Sequence, residues 1–178
     1  MMKSGAHIRK CEPKDLSQLL RFALKTFLAT YEHLNDPADF QNYVNKSFTE
    51  AHFKSEMTNA GSDFYFLELD SNVIGYFKLN VSPHQTDLND PLSIEVERVY
   101  VDMAYHGLGY GKMLFGFILN EAKMLQKQYL WLGVWAKNEL AIAFYKKIGF
   151  VKFAEHPFKM GTAKQKDYLM RLDLTLPE

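Results

Sequence analysis

Several protein classes are excluded by what this sequence lacks. Among its 178 residues there is a single cysteine, Cys11, so no disulfide can form within the chain. Basic and acidic residues number 21 each, which removes the general electrostatic reason to bind nucleic acid or an anionic membrane. No apolar run approaches the roughly 20 residues needed to cross a bilayer. The opening MMKSGAHIRK has no apolar core of the kind that directs secretion. No pair of histidines or cysteines has metal-ligand spacing, so no metal is expected. Internal repeats, low-complexity tracts and linkers are also missing. The expectation is one domain over residues 1–178, a monomer or homodimer in the cytoplasm, with no nucleic-acid or membrane partner.

What is present is material for a core: 47% hydrophobic residues, 15% of all residues aromatic. Ala6 to Lys10 reads as a first strand. Leu16, Leu19, Leu20, Ala23, Leu24, Phe27 and Leu28 recur at three and four, the stripe of an amphipathic helix. Asn35-Asp36-Pro37 ends it. Two further helical stretches carry Phe40, Tyr43 and Val44, then Phe53 and Met57. Phe64–Leu69 and Val73–Val81 form a hairpin around Asp70-Ser71-Asn72. After a polar loop come a strand over Ile94–Val101, a helix from Met113, a buried strand over Tyr129–Trp135 and a helix opening at Asn138. Phe150–Phe153 and Asp167–Leu174 close the chain as strands around a loop holding Pro157 and Gly161. This predicts an α/β (mixed α+β) domain: a mostly antiparallel, twisted sheet of about seven strands, helices on both faces, and one parallel crossover between residues 94 and 135.

The chain is organised around IEVERVYVDMAYHGLGYGK, residues 94–112. Strand, glycine loop and helix start make a phosphate-holding device, because glycines let main-chain amides approach a ligand and the first helical turn offers unpaired donors. A dinucleotide fingerprint is ruled out, since G-x-G-x-x-G is absent and no carboxylate lies about 20 positions on. The nucleotide-triphosphate loop fails too: His106 stands where its first Gly belongs, and Met113 follows Lys112.

His106-Gly107-Leu108-Gly109-Tyr110-Gly111 resembles the acyl-CoA diphosphate loop of the GNAT N-acetyltransferases, [QR]-x-x-G-x-[GA], with His106 in place of Gln or Arg. Asn138-x-x-Ala141-x-x-Phe144-Tyr145-x-x-x-Gly149-Phe150 resembles the family's second conserved segment. Residues 94–150 and the tail Phe158-x-Met160-Gly161-x-x-x-Gln165-x-Asp167-x-Leu169-Met170 are further similar to the bacterial PaiA-type spermidine/spermine N-acetyltransferases. The resemblance implies acetyl-CoA as cosubstrate and a small amine, a polyamine, as acceptor. It places the cofactor against Val99, Tyr100, Val101, His106, Gly107, Leu108, Gly109, Gly111, Lys112, Asn138, Ala141 and Tyr145. Asn138 and Tyr145 stand two helical turns apart on one face, about 10 Å along the axis, which suits two contacts on one elongated ligand.

Acetyl transfer needs a neutral amine, stabilisation of an oxyanion and a proton for the leaving sulfur. Tyr145 is the candidate general acid; the plain alternative is a core aromatic in a helix that must pack. The backbone N–H of Val99 or a neighbour is the candidate for polarising the carbonyl. Glu97 is the candidate base, directly or through a water; the alternative is a salt-bridged strand edge. Strand alternation sets Glu95, Glu97, Val99 and Val101 on one face. His84, His106 and His156 are rival bases. Glu32, Asp36, Glu95 and Glu97, with the aromatics of the first helices, suit a cationic acceptor. Competing functions are acetylation of a protein α-amine or another small amine, and a non-catalytic acyl-CoA-binding regulatory module.

Overall fold

Strict alternation in β2 feeds two cores at once. In this computed structural model, which describes residues 5–160 and 163–174, Tyr65 and Leu67 of β2 (Ser62–Leu69) pack into one core, while Phe64 and Phe66 pack into another. The remaining strands are β1 (Ala6–Lys10), β3 (Asn72–Asn80), β4 (Ser93–Val101), β5 (Tyr129–Trp135), β6 (Val151–Met160) and β7 (Ala163–Asp173). They form one sheet in the order β1-β2-β3-β4-β5-β7-β6, antiparallel throughout except for the β4–β5 pair. The mixed, mostly antiparallel fold of the sequence reading is therefore the fold observed.

The first core lies between the sheet and helices α4 (Tyr110–Met124) and α5 (Glu139–Ile148), with Leu114, Phe115, Ile118 and Tyr145 against Phe77, Leu79, Ile94 and Leu132. The second lies under α1 (Leu16–Tyr31) and α3 (Glu50–Thr58), where Leu19, Phe22, Ala23 and Phe53 meet Phe64, Phe66 and Tyr76. Helix α2 (Pro37–Ser47) is opened by the Asp36 carboxylate, which accepts from the amides of Ala38 and Asp39, and lays Phe40 and Val44 beside Phe27 of α1. Among the described residues no helix is long and apolar enough to cross a membrane.

Two features depart from the sequence reading. The segment from Ala154 to Lys166 is not mainly a loop: β6 and β7 pair from Val151↔Arg171 out to Met160↔Ala163. Pro157 ends a central strand but not an edge strand, where its missing N–H costs no ladder bond, and β6 is the sheet edge. Gly161 lies outside the described residues. The second departure is in β4. Lys78 opposes Arg98 while Leu79 opposes Val96, so Glu97 is the extra residue of a β-bulge. The bulge reverses the alternation. Val96, Val99 and Val101 pack into the α4–α5 core, whereas Tyr100 packs under α1 and Arg98 lies over the rings of Phe53 and Phe64. Glu95 and Glu97 thus do not share a face with Val99 and Val101; they lie on the opposite side, where both accept from Asn80.

Candidate active site

Strands β4 and β5 pair over three residues only, Ser93↔Tyr129, Ile94↔Leu130 and Glu95↔Trp131. Beyond that point both continue but no longer touch as a ladder. A gap opens in the middle of the sheet, and unpaired main-chain groups face into it. The Asp102 N–H donates to Ile74 O on β3 at 2.8 Å, so by alternation the N–H and C=O groups of Val99 and Val101 turn away from β3. The Val101 carbonyl meets the His106 Nε2 at 2.8 Å.

At the head of the gap sits the glycine loop. The Asp102 carboxylate caps the short turn Met103–Tyr105 through the Ala104 amide and holds Lys25 of α1 at 2.5 Å, pinning the loop's start. Gly107 and Gly109 have φ of 72° and 85°, left-handed values that side chains strain against, and Gly109 is the N-cap of α4. The first intrahelical bond is Met113 N–H to Gly109 O. The amides of Gly111 and Lys112 are therefore first-turn donors of α4 that precede its first intrahelical bond. Leu108 and Lys112 are exposed beside them. This loop fits an anionic diphosphate.

Asn138 caps α5, its Oδ1 accepting from the Ala141 amide at 3.2 Å. Tyr145 lies two turns on and is buried, against Phe115, Phe144 and Phe150. Burial pushes its phenol well above the ordinary value, and the nearby Tyr31 phenol adds to the shift. The Tyr31 phenol of α1 is also raised by burial, and the side chains of Tyr100 of β4 and of Asn138 lower it in part. So α1 and α5, on opposite faces of the sheet, approach each other across β4 at four polar side chains: Tyr31, Tyr100, Asn138 and Tyr145. Periodicity read Tyr31 as one member of an aromatic stripe and did not mark it as part of this group.

On the α1–α3 side a cavity of about 220 Å³ opens beside that meeting point. Phe27, Tyr31, Tyr43, Phe48, Tyr76, Tyr100 and Trp135 are among the aromatic rings in its wall, and Glu97, Arg98 and Asp167 are its charged lining residues. Of the four carboxylates expected around the acceptor, only Glu97 lines it. Glu32 is exposed on the turn after α1, Asp36 is occupied as the α2 cap, and Glu95 is buried against Thr86 and Asn80. None of the three histidines lines it either. His106 is held by Val101, His156 is bonded to Asp87 at 2.6 Å, and His84 packs on Gly61.

Glu97 is a committed ion. Its Oε2 meets Lys78 Nζ at 2.5 Å and the Asn80 amide at 2.6 Å, and its Oε1 meets Arg98 Nη2 at 3.2 Å. Burial alone raises its carboxyl, but Arg98 and Lys78 outweigh that and hold it below the usual range. Arg98 in turn grips both Glu56 oxygens at 2.9 Å. Asp167 is different. On β7 opposite Trp135, its carboxyl is pushed up by burial, and no described residue hydrogen-bonds to it. In the sequence it stood within the tail Gln165-x-Asp167-x-Leu169-Met170, with no site role assigned to it. Among the described residues no cluster of side chains could hold a metal.

The sequence profile of the acetyltransferase (GNAT) family matches residues 18–150. The chain belongs to the GNAT acetyltransferases. It is an acyltransferase of the N-acetyltransferase type, and the family's donor is acetyl-CoA. An N-acetyltransferase encoded in the pepI 3′ region of Lactobacillus delbrueckii subsp. lactis is 36% identical over 168 residues, 94% of this chain and 97% of that one. The GNAT fold here superposes on the PaiA N-acetyltransferase of Thermoplasma acidophilum, solved with coenzyme A, at a TM-score of 0.76 and 21% identity, over 95% of this chain and 99% of that one. It is also similar to the spermidine N-acetyltransferase of Vibrio cholerae, solved with CoA and spermine, at a TM-score of 0.66 and 18% identity, with 96% of each chain covered.

Proposed function

We propose that this GNAT protein acetylates a primary amine of a small polyamine of the spermidine or spermine type, in the cytoplasm. The observation that carries the reading is the divergence of β4 and β5 between a glycine loop and an aromatic cavity with carboxylates in its wall. Polyamines join cationic nitrogens by methylenes, and aromatic faces beside carboxylates complement both parts. The spermidine N(1)-acetyltransferase of Thermoplasma acidophilum, 24% identical over 80% of this chain and 86% of that one, supports the acceptor class.

Acetyl-CoA, when bound, supplies an acetyl thioester that a neutral amine attacks, with the CoA thiol as leaving group. The amides from Gly107 to Lys112 hold its diphosphate, with Leu108 against the loop's outer side and His106 fixing the loop to β4. Val99, Tyr100 and Val101 supply the strand against which the pantetheine arm lies, and the Val99 N–H polarises the carbonyl. Asn138 and Ala141, at the start of α5, flank the same arm. Tyr145 keeps its proton at Oη through the working pH range, because its buried phenol is displaced upward, and gives it to the sulfur. Glu97 has partners on both oxygens, so it takes the amine proton only through an intervening water.

Release of CoA from acetyl-CoA across a panel of amines tests the reading. Spermidine and spermine are expected to turn over fastest, and turnover is expected to depend on Tyr145. A panel in which peptides with free α-amino groups react and polyamines do not would reject the polyamine acceptor.

A further inference from the structure

A charge balance over the cavity leaves one group unanswered. Its charged lining residues are Glu97, Arg98 and Asp167. Glu97 is matched by Lys78 and Arg98, and Arg98 by Glu97 and Glu56. Among the described residues Asp167 forms no salt bridge: its register partner on β6, His156, is committed to Asp87 at 2.6 Å. It accepts no hydrogen bond from a described residue, although Gln165 two positions before it is bonded to Asn35 at 2.8 Å. A half-buried carboxylate without a partner is costly to keep, so a site built this way is complemented by a cation. The walls around it agree. Tyr31, Tyr43 and Trp135 line the same cavity, and rings beside a carboxylate form the surroundings that favour an alkylammonium over a hydrated metal ion.

We propose that Asp167 is the specificity residue of the acceptor site: it binds the non-reacting ammonium of a diamine or polyamine while the other amine is presented to the thioester. The inference rests on the N-acetyltransferase reading and deepens it by naming what selects the acceptor. Glu97 and Asp167 then divide the work. Glu97, with its carboxylate held by two cations, fixes the bulged strand and reaches the amine proton only through a water. Asp167 reads the charge of the substrate.

The experiment compares 1,5-diaminopentane with pentylamine, which differ by one terminal nitrogen, in the wild-type protein and in Asp167→Asn. For the wild type, KM for the diamine is expected to be lower by roughly 10- to 100-fold, the range of a charge-assisted hydrogen bond. In Asp167→Asn the two KM values converge, with kcat for the monoamine and calorimetric affinity for CoA unaltered. A merely structural aspartate would raise both KM values together and leave their ratio intact, which overturns the proposal. So does a wild-type protein that does not prefer the diamine, a result independent of how any variant folds. If wild-type protein turns over no amine, the catalytic reading fails by itself. Calorimetric binding of the two amines to the CoA-loaded wild type and to Asp167→Asn then still decides the role of Asp167.

Discussion

Gly111 of α4 faces the ring of Phe144 of α5 so closely that a Cβ on the glycine would stand 2.9 Å from Phe144 Cζ. The contact joins the helix after the glycine loop to the helix carrying Asn138 and Tyr145. Two elements of the proposed CoA site thereby share one packing constraint. A Gly111→Val variant has to push α4 and α5 apart or turn Phe144 out of its contact with Phe115. Overpacking of this kind costs about 1–3 kcal/mol. We expect a lower melting temperature together with weaker CoA binding by calorimetry; weaker CoA binding at an unchanged melting temperature would show that the helices do not move as a unit.

Tyr145→Phe removes the hydroxyl and leaves the ring against Phe115 and Phe150. A proton donor to the leaving group contributes on the order of 10²–10⁴ in rate, so kcat should fall by at least about 100-fold while CoA affinity holds. In the proposed mechanism the acid form is the active one. Since burial raises the phenol, wild-type kcat should show no fall assignable to Tyr145 as pH rises to about 10, the ordinary tyrosine value. A variant with normal turnover would leave Tyr145 a packing residue.

The helix cap made by Asn138 and its proposed contact to acetyl-CoA can be separated by substitution. Asn138→Ala loses the bond to the Ala141 amide, worth about 1 kcal/mol at a helix N-cap. Asn138→Ser keeps a capping oxygen but not the amide. The expected pattern is a melting temperature largely restored in the serine variant, with KM for acetyl-CoA raised in both. Recovery of KM by serine would assign Asn138 to helix capping alone.

Glu97 ties acid stability to the cavity. Its carboxyl titrates below the unfolded value, so its contribution is fully present above the unfolded pKa of about 4.5 and is lost as pH falls through the lower, folded value. Glu97→Gln leaves Lys78 and Arg98 sharing Glu56. Breaking a largely buried pair costs about 3 kcal/mol. Urea denaturation at pH 7 should show that gap between wild type and variant, and the gap should shrink on acidification below pH 4. A constant gap would place the effect in packing.

Much of the fold was legible because it rests on short-range patterns. The stripe from Leu16 to Leu28, the turn at Asp70 and Ser71 with its left-handed φ values, and the Asn138 cap each follow from residues within a few positions of one another. Gly107 and Gly109 were legible for the same reason: a tight loop needs φ that only glycine adopts freely. Pairing across the sheet was not legible in that way. Nothing in residues 94–101 announces that Glu97 is the extra residue of a bulge, because a bulge is defined by the strand opposite.

Local chemistry therefore determined the element order, the glycine loop and the helix that follows it, since each depends on neighbours along the chain. Which carboxylates face the cavity was decided by the tertiary structure. Glu32 and Asp36 looked suitable by composition and are turned to solvent or to a cap, while Asp167 arrives beside Trp135 through a β5–β7 pairing that spans more than thirty residues. Whether a charge is free to meet a ligand depends on every other charge within a few ångströms, and those come from distant parts of the chain.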